Sequence, residues 1–176
     1  MAKNNKNLEK AQLSRADLRG RNFSGANFNH ANLSSADLSE ADLSYAILIW
    51  ADLNGADLSY ANLQKSHLLW ASMLWTNLRA AVFNQTELDC AVLTKAKLDQ
   101  ASFENTSLFS VDLEGASLSS ATLLDTDLRQ ANLEYTQLEG ISFDNCQVAG
   151  AIFTEAQGLT QVQKRWLKQY GALNVP

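Results

Sequence analysis

The chain has 176 residues, of which 46% are hydrophobic and 19% charged, and its formal net charge is −5. That length suits one domain with a full core or one uninterrupted repeat array. The one proline, Pro176, argues against a proline-rich linker, no apolar run approaches the ~18 residues of a membrane span, and Cys90 and Cys146 cannot build a disulfide framework.

Residues 1–7 open the chain with polar side chains, and a flexible N-terminus without a secretory signal is expected there. A reducing cytoplasm is the expected compartment. From Leu8 to Phe153 every fifth residue is large and apolar, giving 30 consecutive centres: 22 Leu, 6 Phe, Met73 and Val148. Two residues before each centre, from Ala11 to Ala151, stands a smaller residue, Ala in 19 of 29 cases. A period of five fits neither alternate-residue burial nor the 3.6-residue helical repeat. It fits a coil that turns a right angle every five residues, so that twenty residues close one square turn and every centre points inward. Coils stacked at the ~4.8 Å strand spacing give about seven and a half turns and a rod of roughly 36 Å. The expected fold class is therefore an all-β solenoid over residues 8–155.

In such a solenoid residues i and i+20 are stacked neighbours. Asp17, Asp37 and Asp57 form one column, read here as short side chains that accept backbone amides at the turns rather than as a cation site. Arg21 occupies a small inward position otherwise held by Ala41, Ala61, Ala81 and Ala101, so the first coil is expected to be open or distorted beside it. Near the middle, Ile47, Ile49, Trp50, Leu69, Trp70, Leu74 and Trp75 take outward positions that elsewhere hold Ser, Asn or Glu. Contiguous outward apolar residues mark a contact surface, and these seven are the candidate protein-binding residues. Ser66, Thr86, Thr106, Thr126 and Cys146 form an inward column, read as a hydroxyl ladder bonded to carbonyls. His30 and His67 lie two coils apart, too far to share a metal, and Cys90 is offset from His67. No phosphate-binding glycine loop, zinc-protease motif or paired-cysteine motif occurs. No catalytic residue, metal ligand, cofactor or small-molecule substrate is expected.

Residues 156–176 break the pattern and predict a short capping α-helix and tail. Thr160 with Gln163 makes a capping box, Gly171 suits the C′ position, and Val162, Trp166, Leu167 and Tyr170 share one face, read as a lid over the last coil, with a dimer contact through Trp166 as the alternative.

The quintet A(D/N)LXX, cleanest in ANLSSADLSEADLSYA, resembles the pentapeptide-repeat family over residues 8–153. The resemblance implies a right-handed quadrilateral β-helix, a family many of whose members lack a defined biochemical role, and one abundant in cyanobacteria. Some members of that family are thought to imitate duplex DNA and inhibit DNA gyrase. Residues 1–35 carry six basic and two acidic side chains, residues 104–155 nine acidic and one basic. Duplex DNA of this length would carry about twenty charges. The preferred expectation is thus a non-catalytic rigid scaffold that binds a protein partner or a second copy, without direct nucleic-acid or membrane contact. The acidic mimic acting on gyrase is the alternative.

Overall fold

The computed structural model describes residues 6–176; the flexible segment expected at the start falls largely on residues 1–5, outside the described ones. The ladder begins at Asn7, which bridges Asn27 and so already belongs to the coil. From there parallel bridges join each residue that precedes a centre to its counterpart twenty positions on, as in Asp37↔Asp57, Asp42↔Asn62 and Ile47↔His67. Every side of the coil contributes one such bridge and then turns, so the ladder consists of bridges and not of long strands.

The quintet accounts for all five of its amides, which is why it can repeat without leaving buried polar groups. Around Leu58, the centre donates to Asn77 O at 2.7 Å and Tyr60 to Arg79 O at 2.9 Å, both in the next coil. Asp57 N donates back to Ala36 O at 2.9 Å, and Ala61 N closes the turn on Leu58 O at 3.0 Å. The fifth amide, Ser59 N, is accepted by the Asp57 carboxylate at 2.8 Å. This is the physical reason for Asp or Asn before the centre. The residue two after each centre, from Lys10 to Glu155, has φ between 54° and 75°. A left-handed residue at that position of a four-residue turn redirects the chain by the required right angle.

The centres from Phe28 to Leu138 are fully buried or nearly so, and the alanines beside them fill the remaining space. Phe83 and Phe103 stack with centroids 4.8 Å apart and planes 4° from parallel, a direct view of the coil spacing. In the hydroxyl column, Thr86, Thr106 and Thr126 donate to Leu63, Phe83 and Phe103 carbonyls at 2.7, 2.6 and 2.8 Å. Cys146 donates to Leu123 O in the same manner, and burial pushes its thiol up to about 11.

Two local expectations are corrected. The backbone at Arg21 is regular, with Asp42 N donating to Arg21 O at 3.0 Å. Its side chain lies exposed instead. At the other end the helix α1, Gln161–Gln169, has the expected capping box at Thr160 and Gln163. It closes with a Schellman arrangement, Gly171 N donating to Lys168 O and Ala172 N to Leu167 O. Only Leu167 of the four face residues is fully buried; Val162 and Tyr170 are exposed. Gln163 reaches Ile141 O at 2.8 Å, which rolls the helix onto the Gln163–Leu167 line and away from Val162. The tail then returns to the coil, where Leu173 bridges Ile152.

Candidate protein-binding face

The tryptophans stand at the corners, all in the left-handed turn position: Trp50, Trp70 and Trp75 have φ of 60°, 56° and 60°. That backbone turns the side chain away from the core, and the three are 53%, 42% and 64% exposed. Trp50 and Trp70 share one corner column and stack with centroids 5.2 Å apart and planes 8° from parallel. Trp75 stands at the next corner, beneath the Lys95 ammonium, 4.6 Å from its ring centroid. Ile47, Ile49, Leu69 and Leu74 are half-buried between the corners and back the rings. The seven residues therefore form one surface of two adjoining sides, with the tryptophans carrying most of its accessible area.

On two sides of this surface the turn amide lacks the Asx side chain that it needs, and an Asn one coil earlier takes its place. With Ile47 in place of Asx, Ile49 N is accepted by Asn29 Oδ1, one coil earlier, at 3.1 Å. With Ser72 in place of Asx, Leu74 N is accepted by Asn54 Oδ1 at 2.8 Å. Among the described residues no buried side-chain polar atom lacks a partner.

Sequence reasoning missed Tyr45 and Tyr60, which are exposed at the same turn position on the two remaining corners. Their residue numbers, multiples of five like the tryptophans, were the available signal. Lys65 caps Tyr45, 5.4 Å from its ring centroid. Phe109 lies farther along the rod, with Arg129 at 5.7 Å over its ring, and does not extend the tryptophan surface.

Several of the remaining polar groups are engaged in local structure. His67 Nδ1 is 2.8 Å from Glu87. Arg19 binds Asp17 through Nε and Nη2 at 2.9 and 2.8 Å, and this guanidinium holds the Asp17 carboxyl down at about 2. Burial works against the Asp57 carboxylate, yet hydrogen bonds from Ser59 and Asn77 hold it below its ordinary value. Among the described residues no three His, Cys, Asp or Glu side chains cluster as metal ligands, and no helix is long and apolar enough to cross a membrane.

The family described as pentapeptide repeats matches residues 11–48, 46–85, 86–123 and 121–156, with eight copies. No curated protein matches the chain. Among solved structures, HetL, a pentapeptide repeat protein involved in heterocyst differentiation regulation in the cyanobacterium Nostoc sp. strain PCC 7120, is 31% identical. That match covers 84% of this chain and 85% of HetL, with a TM-score of 0.31. QnrB1, a plasmid-mediated fluoroquinolone resistance protein, is 17% identical over 94% of this chain and 95% of its own, with a TM-score of 0.39. A pentapeptide repeat protein from the Arabidopsis thaliana thylakoid lumen is 24% identical over 88% of this chain and 81% of its own, with a TM-score of 0.33. The solenoid is a right-handed quadrilateral β-helix, and no catalytic family is indicated.

Proposed function

The chain belongs to the pentapeptide-repeat family, and from that premise we propose that it is a cytoplasmic, non-catalytic scaffold that presents its tryptophan surface to another protein. The observation that carries this reading is where the aromatics stand. A bulky side chain in the left-handed region costs on the order of 1 kcal/mol relative to Gly or Asn, which suit it. Six of the corner positions do hold glycine: Gly20, Gly25, Gly55, Gly115, Gly140 and Gly150. Most of the others hold polar side chains such as Ser35, Glu40 and Gln85, so the repeat takes solvated residues at the positions where Trp50, Trp70 and Trp75 stand, and the one stacked pair returns only about 0.5–1.5 kcal/mol. Their use lies in what they contact. The acidic residues toward the C-terminal end are spread over all four sides, with Asp127 paired to Arg129 at 2.6 Å, so no continuous phosphate-like row favours the DNA-mimic alternative.

The test replaces both stacked rings with a residue that accepts the backbone, Trp50→Asn with Trp70→Asn. The Tm is expected within a few degrees of the parent, while capture of protein from extract of the source cell falls by the equivalent of ~2 kcal/mol or more. A Tm lowered by tens of degrees with capture unchanged would assign the rings to rod stability and sink the reading.

A further inference from the structure

We propose that the partner on this surface is a second copy of the chain, packed side by side and antiparallel about a two-fold axis at the level between Trp50 and Trp70. The proposal rests on the reading of the tryptophans as a contact surface and adds the identity and register of what covers them. The side spanning residues 51–55 and 71–75 carries all three rings: Trp50 and Trp70 along one edge, Trp75 on the other, Leu74 between.

The twenty-residue coil fixes which levels meet. A two-fold axis lying in the contact plane and perpendicular to the rods reverses height and keeps lateral position, so each column faces its own column in reverse. In the Lys10–His30–Trp50–Trp70–Cys90–Ser110 column, residue numbers of opposed positions sum to 120. Trp50 then meets the second copy's Trp70, and Trp70 its Trp50. At the other edge Trp75 faces Gly55, a corner where an added Cβ would find only Ser35 Oγ, at 3.6 Å, so a ring has space to enter.

Charge decides between antiparallel and parallel packing. On these columns Lys10 and Arg15 lie below the rings, Asp112 and Glu114 above them. Reversal brings Arg15 to the level of Glu114 and Lys10 beside Asp112, once on each side of the axis. His30 likewise comes to the level of Glu87 and Asp89 on the adjoining side. Asp52 falls opposite Ser72, and Lys95 opposite Ser35, so no like charges oppose on this side. A parallel pair, whose two-fold axis runs along the rods and exchanges the two edges at each level, would instead set Arg15 against Lys10 and Glu114 against Asp112. Opposed unlike charges fix register and orientation at an interface more than they add affinity.

Area is consistent with a pair of moderate strength. The three tryptophans, 53%, 42% and 64% exposed, supply at most about 400 Å² of the ~800 Å² that each partner buries in a standard interface. The charged rows above and below them supply the polar rim.

Sedimentation equilibrium of the purified chain tests this, with circular dichroism confirming that each variant folds. The parent is expected as a dimer. Arg15→Glu and Glu114→Lys are each expected to weaken dimerisation about tenfold, and an equimolar mixture of the two to recover the parent's strength. Reversal aligns the carboxylate introduced at position 15 of one variant with the ammonium introduced at position 114 of the other. In a parallel pair each variant would dimerise more tightly than the parent, because the carboxylate introduced at position 15 would face Lys10 and the ammonium introduced at position 114 would face Asp112, and the mixture no more tightly than either. Trp50→Asn with Trp70→Asn is expected to weaken the dimer at least ~30-fold. A parent that remains monomeric at about 100 μM overturns the paired arrangement and leaves the contact surface to the capture measurement above. A mixture that stays as weak as its components, or charge variants that dimerise as tightly as the parent or more tightly, overturns the antiparallel register.

Discussion

Asp17 and Arg19 stand two residues apart on the outside of the first coil, where the turn directs both side chains the same way. Arg19 also approaches the Asp37 carboxylate, at 3.6 Å, and so bridges two members of the aspartate column. The carboxyl of Asp17, held at about 2 against an ordinary 3.8, favours the folded state above pH 3.8, and that contribution disappears as the pH falls toward 2. Full exposure keeps the effect on stability small, but the titration itself is readable. Carbon-detected NMR should place the Asp17 midpoint near 2, and Arg19→Ala should return it toward 3.8; an unmoved midpoint would remove Arg19 as the cause. Gly158 offers a harder test of geometry. Its φ is +82°, and a Cβ there would lie 2.5 Å from Glu139 N, which is backbone and cannot swing aside. Gly158→Ala should therefore cost about 2 kcal/mol or more in chemical denaturation, concentrated at the C-terminal end.

The coils pair without interruption until the side that begins at Ile141. Thr122 bridges Ser102 below it but not Ser142 above, and neither Leu123 N nor Ser142 N has a ladder partner among the described residues. The cause is visible in the column Ala61, Ala81, Ala101, Ala121, Ile141, where a branched four-carbon side chain arrives at a place sized for a methyl. Ile141 is still 6% exposed, and the two coils stand apart rather than bury it by closing. Ile141→Ala should close the seam, and hydrogen exchange at Leu123 and Ser142 should slow about tenfold. If exchange stays fast there and slows only in Gln163→Ala, the pull of Gln163 on Ile141 O is what holds the seam open. The element scale also separates what was legible from what was not. The frame of centres, the hydroxyl ladder and both helix caps are set by residue type at fixed spacing, so the one-dimensional pattern carries them. The roll of α1 depends on where the Ile141 carbonyl sits in space, and the seam on how much room one column has left. Neither is a property of spacing. The aromatic corners fall between these cases: their left-handed backbone follows from the repeat, but Tyr45 and Tyr60 lack the apolar neighbours that made the tryptophans conspicuous.

The whole rod has a growth problem, and among the described residues it is the C-terminal end that solves it. A stack of identical coils offers the next coil the same unpaired edge at every step, and an edge left open is a template for another chain. Here Gln157 still bridges Gln137, α1 then crosses the end, and the tail completes the pairing: Gly150 N donates to Gly171 O at 2.8 Å, Phe153 N to Leu173 O at 2.9 Å, and Leu173 N to Ala151 O at 2.7 Å. Removing residues 157–176 uncovers those groups together with Val148 and Phe153, both now buried. At the opposite end Gln12 N and Asp17 N bond to no backbone carbonyl among the described residues. The two ends also differ in charge, basic near Lys10, Arg15 and Arg21, acidic near Glu139, Asp144 and Glu155. A truncated rod should therefore add head to tail, a heterologous contact that does not close and so grows into filaments. Opposite charges at the ends make low ionic strength the favourable condition, and ~1 M salt, with a screening length near 3 Å, should slow growth. Light scattering and electron microscopy across a salt series read this directly. A truncated chain that keeps its β-type circular dichroism and sediments as the same small species at every salt concentration would show that α1 and the tail are not what stops the stack.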